Sequence, residues 1–285
     1  MSSHANGTFL WVSLVCQALY TPRVQRWHTL QTVCTFPAGL NPLYARMLDS
    51  IRDSPDAELC KHILAVVTIV RRPITLQELT SLVEMPAGVS DDQTALETVI
   101  GLCGSFLTIR NHTIYFVHQS AQDFLLGKAL ANAPEKASQL AFGWVFPSGI
   151  EDVDYIILSR SLSTMSQVLR RDMYGLGKPG FSINNLQSPD PDPLAAVRYS
   201  CVYWIDHLCR ATSGTSTRQD VLELKVAVST FFETKCLYWL EALSLLRAMP
   251  EGVAALRQLD RLLAVSVRSR DIPLEPGLTD NTAAS

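Results

Sequence analysis

His118 is the residue whose neighbours give it the most chemistry to do. It stands in FVHQSAQDFLL, Phe116 to Leu126, where a period-two hydrophobic pattern gives way to a helical one. A histidine at such a junction can bond a backbone carbonyl, meet a ligand or move a proton. Each of these roles needs partners. Cysteine catalysis would pair His118 with Cys103, but neither an acid nor an oxyanion donor is indicated beside them. A zinc site would start from His112 and His118, which flank one predicted strand, but no cysteine or carboxylate completes the set at zinc spacing. Cys201, His207 and Cys209 share a predicted helix. Cys201 and Cys209 diverge by about 80° around it, so core packing is the reading there.

Phosphate chemistry fails on a different ground. A P-loop needs a glycine-rich turn feeding a helix N-terminus, with lysine on the phosphates and Ser or Thr on magnesium. The Gly-Lys pairs are Gly127-Lys128 and Gly177-Lys178. They are followed by Ala129 and Pro179, and neither has the upstream glycine. No apolar strand ending in acidic residues stands in for a Walker B, and no GxSxG elbow is present. The expectation is a chain that is not an enzyme, has no catalytic residue, and holds no cofactor or metal of its own.

The elements that must position His118 are legible from punctuation. Helices are predicted over 8–20, 22–33 and 42–53, the third with Asn41 as N-cap and Pro42 at its first position. Ser54-Pro55 opens another, running through CKHILAVVTIV. Thr75 and Glu78 form a capping box before LQELTSLV, and Ser90 and Gln93 form a second before a helix to Leu102. Strands at 106–109 and 113–117 flank the turn Arg110-Asn111-His112. The helix opening near His118 ends at Gly127, a C′ glycine. Three helices, a two-stranded wing and a further helix are the layout of a winged helix. Beyond it the pattern is helical, at 134–146, 151–171, 192–211, 218–248 (with a break near Glu233) and 251–267, with linkers at 174–193 and 211–217.

Composition limits the function classes. Of the 285 residues, 47% are hydrophobic and 18% charged, enough for a substantial core. Net charge is −3, and the two sides of Ala129 carry 9 basic and 10 acidic, then 15 basic and 17 acidic residues, so neither is a polycation. The DNA-reading candidate helix, DDQTALETVIGL, carries Asp91, Asp92 and Glu97 without Lys or Arg. Such a helix is repelled by phosphates, which leaves nucleic-acid binding a minority alternative. The seven scattered cysteines read as reduced core residues of a cytoplasmic protein. The apolar run 9–20 has no preceding Lys or Arg and is too short for a bilayer, so it reads as a buried helix. Arg71-Arg72 is assigned to the dipole of the helix before it, and Tyr199, Tyr203, Trp204, Tyr238 and Trp239 to packing between helices.

Several blocks then resemble one known group: NGTFLWVSLVCQAL (6–19), FPAGLNPLYARMLDSI (36–51), ILAVVTIVRRPITLQEL (63–79), CGSFLTIRNHTIYFVHQSAQDFLL (103–126), RYSCVYWIDHL (198–208) and LYWLEALSLL (237–246). In this order they resemble the region after the ATPase core of fungal NACHT-type proteins of the STAND class, the vegetative-incompatibility group. The middle part is similar to the winged-helix module named after a GPI inositol-deacylase-like protein. The resemblance implies a mainly α fold. Its lid segment would span 1–55, its winged helix 56–130 and its helical arm 131–270, with a disordered tail at 271–285. It also implies that His118 matches a histidine of a His-Asp motif that contacts the β-phosphate of ADP. Gln119 stands where the class has aspartate.

The function expected is therefore that of a non-catalytic regulatory fragment of a signal-transduction switch, acting by intramolecular or protein–protein docking. Its implied partner is a NACHT ATPase core or a related full-length STAND protein, with no nucleic acid and no membrane. ADP or ATP enters only if that core is supplied elsewhere. Two alternatives stay open: the C-terminal part of a mis-split NACHT NTPase whose His118 senses bound ADP, and a nucleic-acid-binding winged helix. Lid helices built to face an ATPase domain should also leave apolar surface exposed.

Overall fold

Two apolar cores organise the chain, and one helix runs through both. In this computed structural model the described residues are 9–19, 37, 39–90, 92–128, 135–177, 182, 186–212 and 218–268. The expected helix 22–33 and the tail from 271 lie outside them. In the first part α1 (Phe9–Leu19), α2 (Leu40–Arg52) and α3 (Ala57–Ile69) pack around the winged helix. β1 (Ile74–Thr75), α4 (Leu76–Leu82), α5 (Gln93–Leu102), β2 (Leu107–Arg110), β3 (Thr113–Phe116) and α6 (Gln119–Leu125) follow. The remainder is α7 (Glu135–Val145), α8 (Ile150–Val168), α9 (Arg198–Ala211), α10 (Arg218–Leu245) and α11 (Met249–Arg268). The chain is mainly α, as its periodicity predicts.

The small sheet holds one strand more than the predicted wing. β2 and β3 pair as the wing hairpin, with Ile109 opposite Ile114, and β1 adds to the other edge of β3 with Ile74 opposite Ile114. A two-residue strand before a capping box has no period to read. The turn residues Asn111 and His112 have φ of 49° and 60°, the left-handed pair that a two-residue hairpin requires.

Helix ends correct several sequence readings. α2 starts at Leu40 with Gly39 before it, so Asn41 is not the cap and is buried inside the first turn. α5 is capped by Asp92, whose Oδ1 accepts from the amides of Thr94 and Ala95 at 2.8 and 3.2 Å, and not by Ser90. α9 starts at Arg198, not 192. Pro193 disfavours helical backbone at Asp192, and the Asp192 carboxylate instead accepts from Leu194 N at 2.9 Å and holds Arg198. α8 ends at Val168, and α10 runs unbroken past Glu233. The Thr75–Glu78 capping box forms in both directions, at 3.1 and 2.8 Å. Gly127 (φ 69°) closes α6, with Lys128 N on Asp123 O at 3.0 Å and Gly127 N on Phe124 O at 3.1 Å, the paired bonds of a left-handed C-terminal stop.

The first core is built on Tyr44, Phe106 and Phe124, with ring centroids 5.5 to 6.5 Å apart. Trp11, Leu14 and Val15 of α1 are buried in it, which makes the apolar run near the start a packed helix. Phe9 remains 86% exposed at its end. The second core is built on Trp204, Phe231 and Trp239, with edge-on contacts at 5.4 and 5.9 Å, and Trp239 Nε1 donates to Cys201 O at 2.8 Å. α8 contributes Val153 and Ile157 to the first core and Leu158, Leu162 and Met165 to the second. No helix among the described residues is long and apolar enough to cross a membrane.

Candidate functional site

The site around His118 is assembled from the backbone outward. Val117 N bonds Phe106 O at 3.0 Å, which ends the hairpin. His118 then turns extended (φ −160°, ψ 152°) and becomes the N-cap of α6. Its Nδ1 accepts from Ser120 N at 3.1 Å and lies 2.8 Å from Ser120 Oγ, and Ser120 Oγ is 2.9 Å from Tyr44 OH. Tyr44 is fully buried and Ser120 nearly so, while His118 itself is exposed. Burial pushes the Tyr44 phenol above its ordinary range, with the Ser120 hydrogen bond opposing that shift.

This geometry sets the tautomer. A ring nitrogen that accepts from an amide carries no proton, so the neutral imidazole holds its proton on Nε2. His118 therefore offers an N–H donor from an exposed ring whose other edge is fixed to α6 and, through Ser120, to α2. The bond runs to a backbone N–H, not to the backbone carbonyl that a histidine at such a junction commonly takes. An N–H donor on an exposed ring can bond an anionic oxygen.

Gln119 does not complete a second arm. Its Nε2 reaches along the helix to Gln122 Oε1 at 3.1 Å and Asp123 Oδ1 at 3.4 Å. Gln122 in turn donates to Thr68 O at 2.9 Å, tying α6 to the end of α3. The other candidates lie elsewhere. His112 Nδ1 pairs with Gln93 Nε2 at 2.9 Å, joining the wing to α5. The Cys103 thiol is buried and its partner is the Cys60 thiol. That shared hydrogen bond lowers Cys60 and, with burial, raises Cys103. Cys201 is buried and pushed up to about 12. Among the described residues no cluster of three His, Cys, Asp or Glu side chains has metal-site geometry.

Arg72 corrects the helix-dipole reading. It makes a two-pronged contact with Glu78, with Nη1 to Oε2 at 2.9 Å and Nη2 to Oε1 at 2.6 Å, and its guanidinium lies over Tyr199 and Tyr203 at 5.4 and 5.9 Å. A cavity of about 640 Å³ lies between α3, the end of α4 and α8, with Lys61, His62, Glu84, Asp152 and Arg160 on its wall. His118 is not on that wall.

Two participants escaped sequence reading, for one reason. Tyr44 meets Ser120 across 76 residues, and Asp154 meets His207 across 53, at 2.6 Å. Neither pair shares an element, so no spacing rule connects them.

The fold is that of a winged helix extended by a helical arm. Residues 44–139 match the family described as "GPI inositol-deacylase, winged helix domain". Over 275 residues the chain is 62% identical to "Vegetative incompatibility protein HET-E-1" of Podospora anserina, covering 96% of this chain and 20% of that protein. It thus spans about a fifth of the curated relative it matches. Over nearly its whole length the chain resembles the fungal vegetative-incompatibility proteins, and residues 44–139 of it match the winged-helix family. No solved structure matches it.

Proposed function

We propose that this chain is a non-catalytic regulatory part of a fungal NACHT-type switch, working in the cytoplasm by docking onto an ATPase core. Its winged helix closes over the nucleotide held by that core, and His118 donates Nε2–H to a phosphate of ADP. The observation that carries this reading is the Nδ1 contact with Ser120 N, which commits the outward nitrogen to be a donor. A hydrogen bond to a charged acceptor contributes about 1.5–3 kcal/mol, enough to bias a closed state by one to two orders of magnitude. The docking partner is protein. The exposed part of α5 carries Glu97 and the capping Asp92, and polyanions are poor ligands for such a helix.

The same contact operates whether the ATPase core lies on one polypeptide with this region or on another. The test uses a separately produced NACHT ATPase core loaded with labelled ADP. Adding the chain slows ADP release, and the His118→Asn chain, which keeps a helix cap but lacks the ring donor, docks without slowing it. Equal release with both chains would remove the His118 role, and no capture of the core by either would remove the docking role.

A further inference from the structure

Among the described residues of α9 to α11, Tyr199 is the one whose buried side chain belongs to the first core. It is fully buried, and its hydroxyl does two things. It accepts from the backbone N–H of Arg71 at 3.0 Å and lies 2.7 Å from His207 Nε2. His207 Nδ1 lies 2.6 Å from Asp154 Oδ1, and Arg210 Nε is 3.1 Å from Asp154 Oδ2 without hydrogen-bond alignment. His207 and Asp154 are both fully buried. The directions follow from chemistry. The Asp154 carboxylate only accepts, so His207 donates from Nδ1; in the neutral ring Nε2 then accepts the Tyr199 hydroxyl proton, leaving the phenol oxygen to take Arg71 N–H.

We propose that this relay, Arg71 N–H to Tyr199 to His207 to Asp154, is a releasable latch that pins the α8–α9 pair onto the winged helix. Apolar packing is non-directional and tolerates small slides, whereas hydrogen bonds lose most of their strength beyond about 3.5 Å or below about 120°. A joint built on three short polar contacts has a defined closed state. Each donor finds its acceptor in the next member, and hydrogen bonds chained in this way polarise and strengthen one another, so loss of one weakens the rest. Arg72 places the latch where movement of the winged helix is felt. The same guanidinium that stacks on Tyr199 and Tyr203 grips Glu78, which belongs to the capping box at the end of β1. α8 gives the joint an axis, because it packs with both cores. The proposal stands apart from the His118 reading, since none of its residues touches the His118 site.

The test is amide hydrogen exchange on the full chain, resolved to single amides. Tyr199→Phe keeps the ring, its stack on Tyr203 at 4.9 Å and the Arg72 contact, but deletes the hydroxyl. The Arg71 amide is expected to exchange about tenfold faster, the scale of one lost buried hydrogen bond. The amides of β1 and the first turn of α4 should follow, while those of Ile63 to Val67 and of Trp239 to Leu243 stay unchanged. Tyr203→Phe, whose hydroxyl is outside the relay, should leave Arg71 at its original rate. If Tyr199→Phe does not fold, Asp154→Asn, which keeps shape and removes the charge, is read the same way. Unchanged exchange at Arg71 would overturn the latch. A uniform rise through both cores would also overturn it, as would failure of both variants to fold, since a latch opens without loss of either core.

Discussion

His118 Nδ1 sits 3.1 Å from the amide of Ser120, and this contact leaves the other ring nitrogen as the face open to a ligand. The residue therefore has two separable duties. Replacing it with alanine removes the cap of α6 and should cost about 1 kcal/mol. Asparagine, a strong N-cap, should restore that stability within a few tenths of a kcal/mol. Urea unfolding of the two variants checks this. Equal losses would mean that the histidine ring packs in some way its cap does not explain.

Tyr44→Phe should cost about 1 kcal/mol, because it strips the buried partner from Ser120 Oγ while the ring stays between Phe106 and Phe124. Combined with Ser120→Ala the loss should be less than additive, since both variants delete the same contact. A double-mutant cycle with zero coupling would show that the two hydroxyls do not depend on each other.

Glu78→Ala removes both the reciprocal arm of the capping box and the two-pronged grip on Arg72. Glu78 is 1% exposed, but Arg72 keeps 36% of its side chain in water. The cost should therefore fall at roughly 2–3 kcal/mol, below that of a wholly buried pair. Thermal unfolding reads the loss, and Glu78→Gln should recover part of it by keeping the acceptor oxygen.

Gly252→Ala tests the packing of α11 on α10. An added Cβ would come within 2.4 Å of Leu243 Cδ1, a fully buried side chain. Helix propensity favours alanine by about 1 kcal/mol, while overpacking a core costs about 1–3 kcal/mol. The sterics should win, giving a net loss of about 1 kcal/mol. A stabilised variant would show that Leu243 moves aside freely.

Alkaline pH should unfold the chain early. Cys201 is buried and its thiol is pushed up to about 12 by desolvation. A group raised in the folded state stabilises fully below its unfolded value, here about 8.5, and that stability is lost as pH rises toward 12. The slope approaches about −1.4 kcal/mol per pH unit for one proton. Tyr44 and Tyr199, both raised by burial, add to the loss above about pH 10. The urea midpoint of the reduced protein should fall between pH 9 and 11, with a shallower fall in Cys201→Ala.

Much of the fold was legible because its signals are local. The Thr75–Glu78 box, the stop at Gly127, the change of period at Phe106 and the hairpin turn at Asn111-His112 are each set by residues within a few positions of one another. Local signals misled where tertiary packing overruled them. Asn41 looks like a cap, but the chain enters α2 earlier and buries it, with Oδ1 left unpartnered. Asp192 looks like the start of α9 but works as the anchor before it. Arg72 looks like a dipole partner, yet a carboxylate six residues on and two rings from α9 claim it.

The sequence by itself determined the helical class, the winged-helix layout and the identity of His118 as the residue at the hairpin-to-helix junction. Propensity, capping and period act over one or two turns of chain, so a linear reading reaches them. Only the tertiary structure decided how His118 is anchored, because Ser120, whose amide and hydroxyl meet its ring, is held in turn by Tyr44, 76 residues away from Ser120. It likewise decided that His207, read as core filler, is the middle of a buried relay between Asp154 and Tyr199. Such contacts are made when helices pack, and packing is set by the summed burial of both cores, which no short stretch of residues encodes.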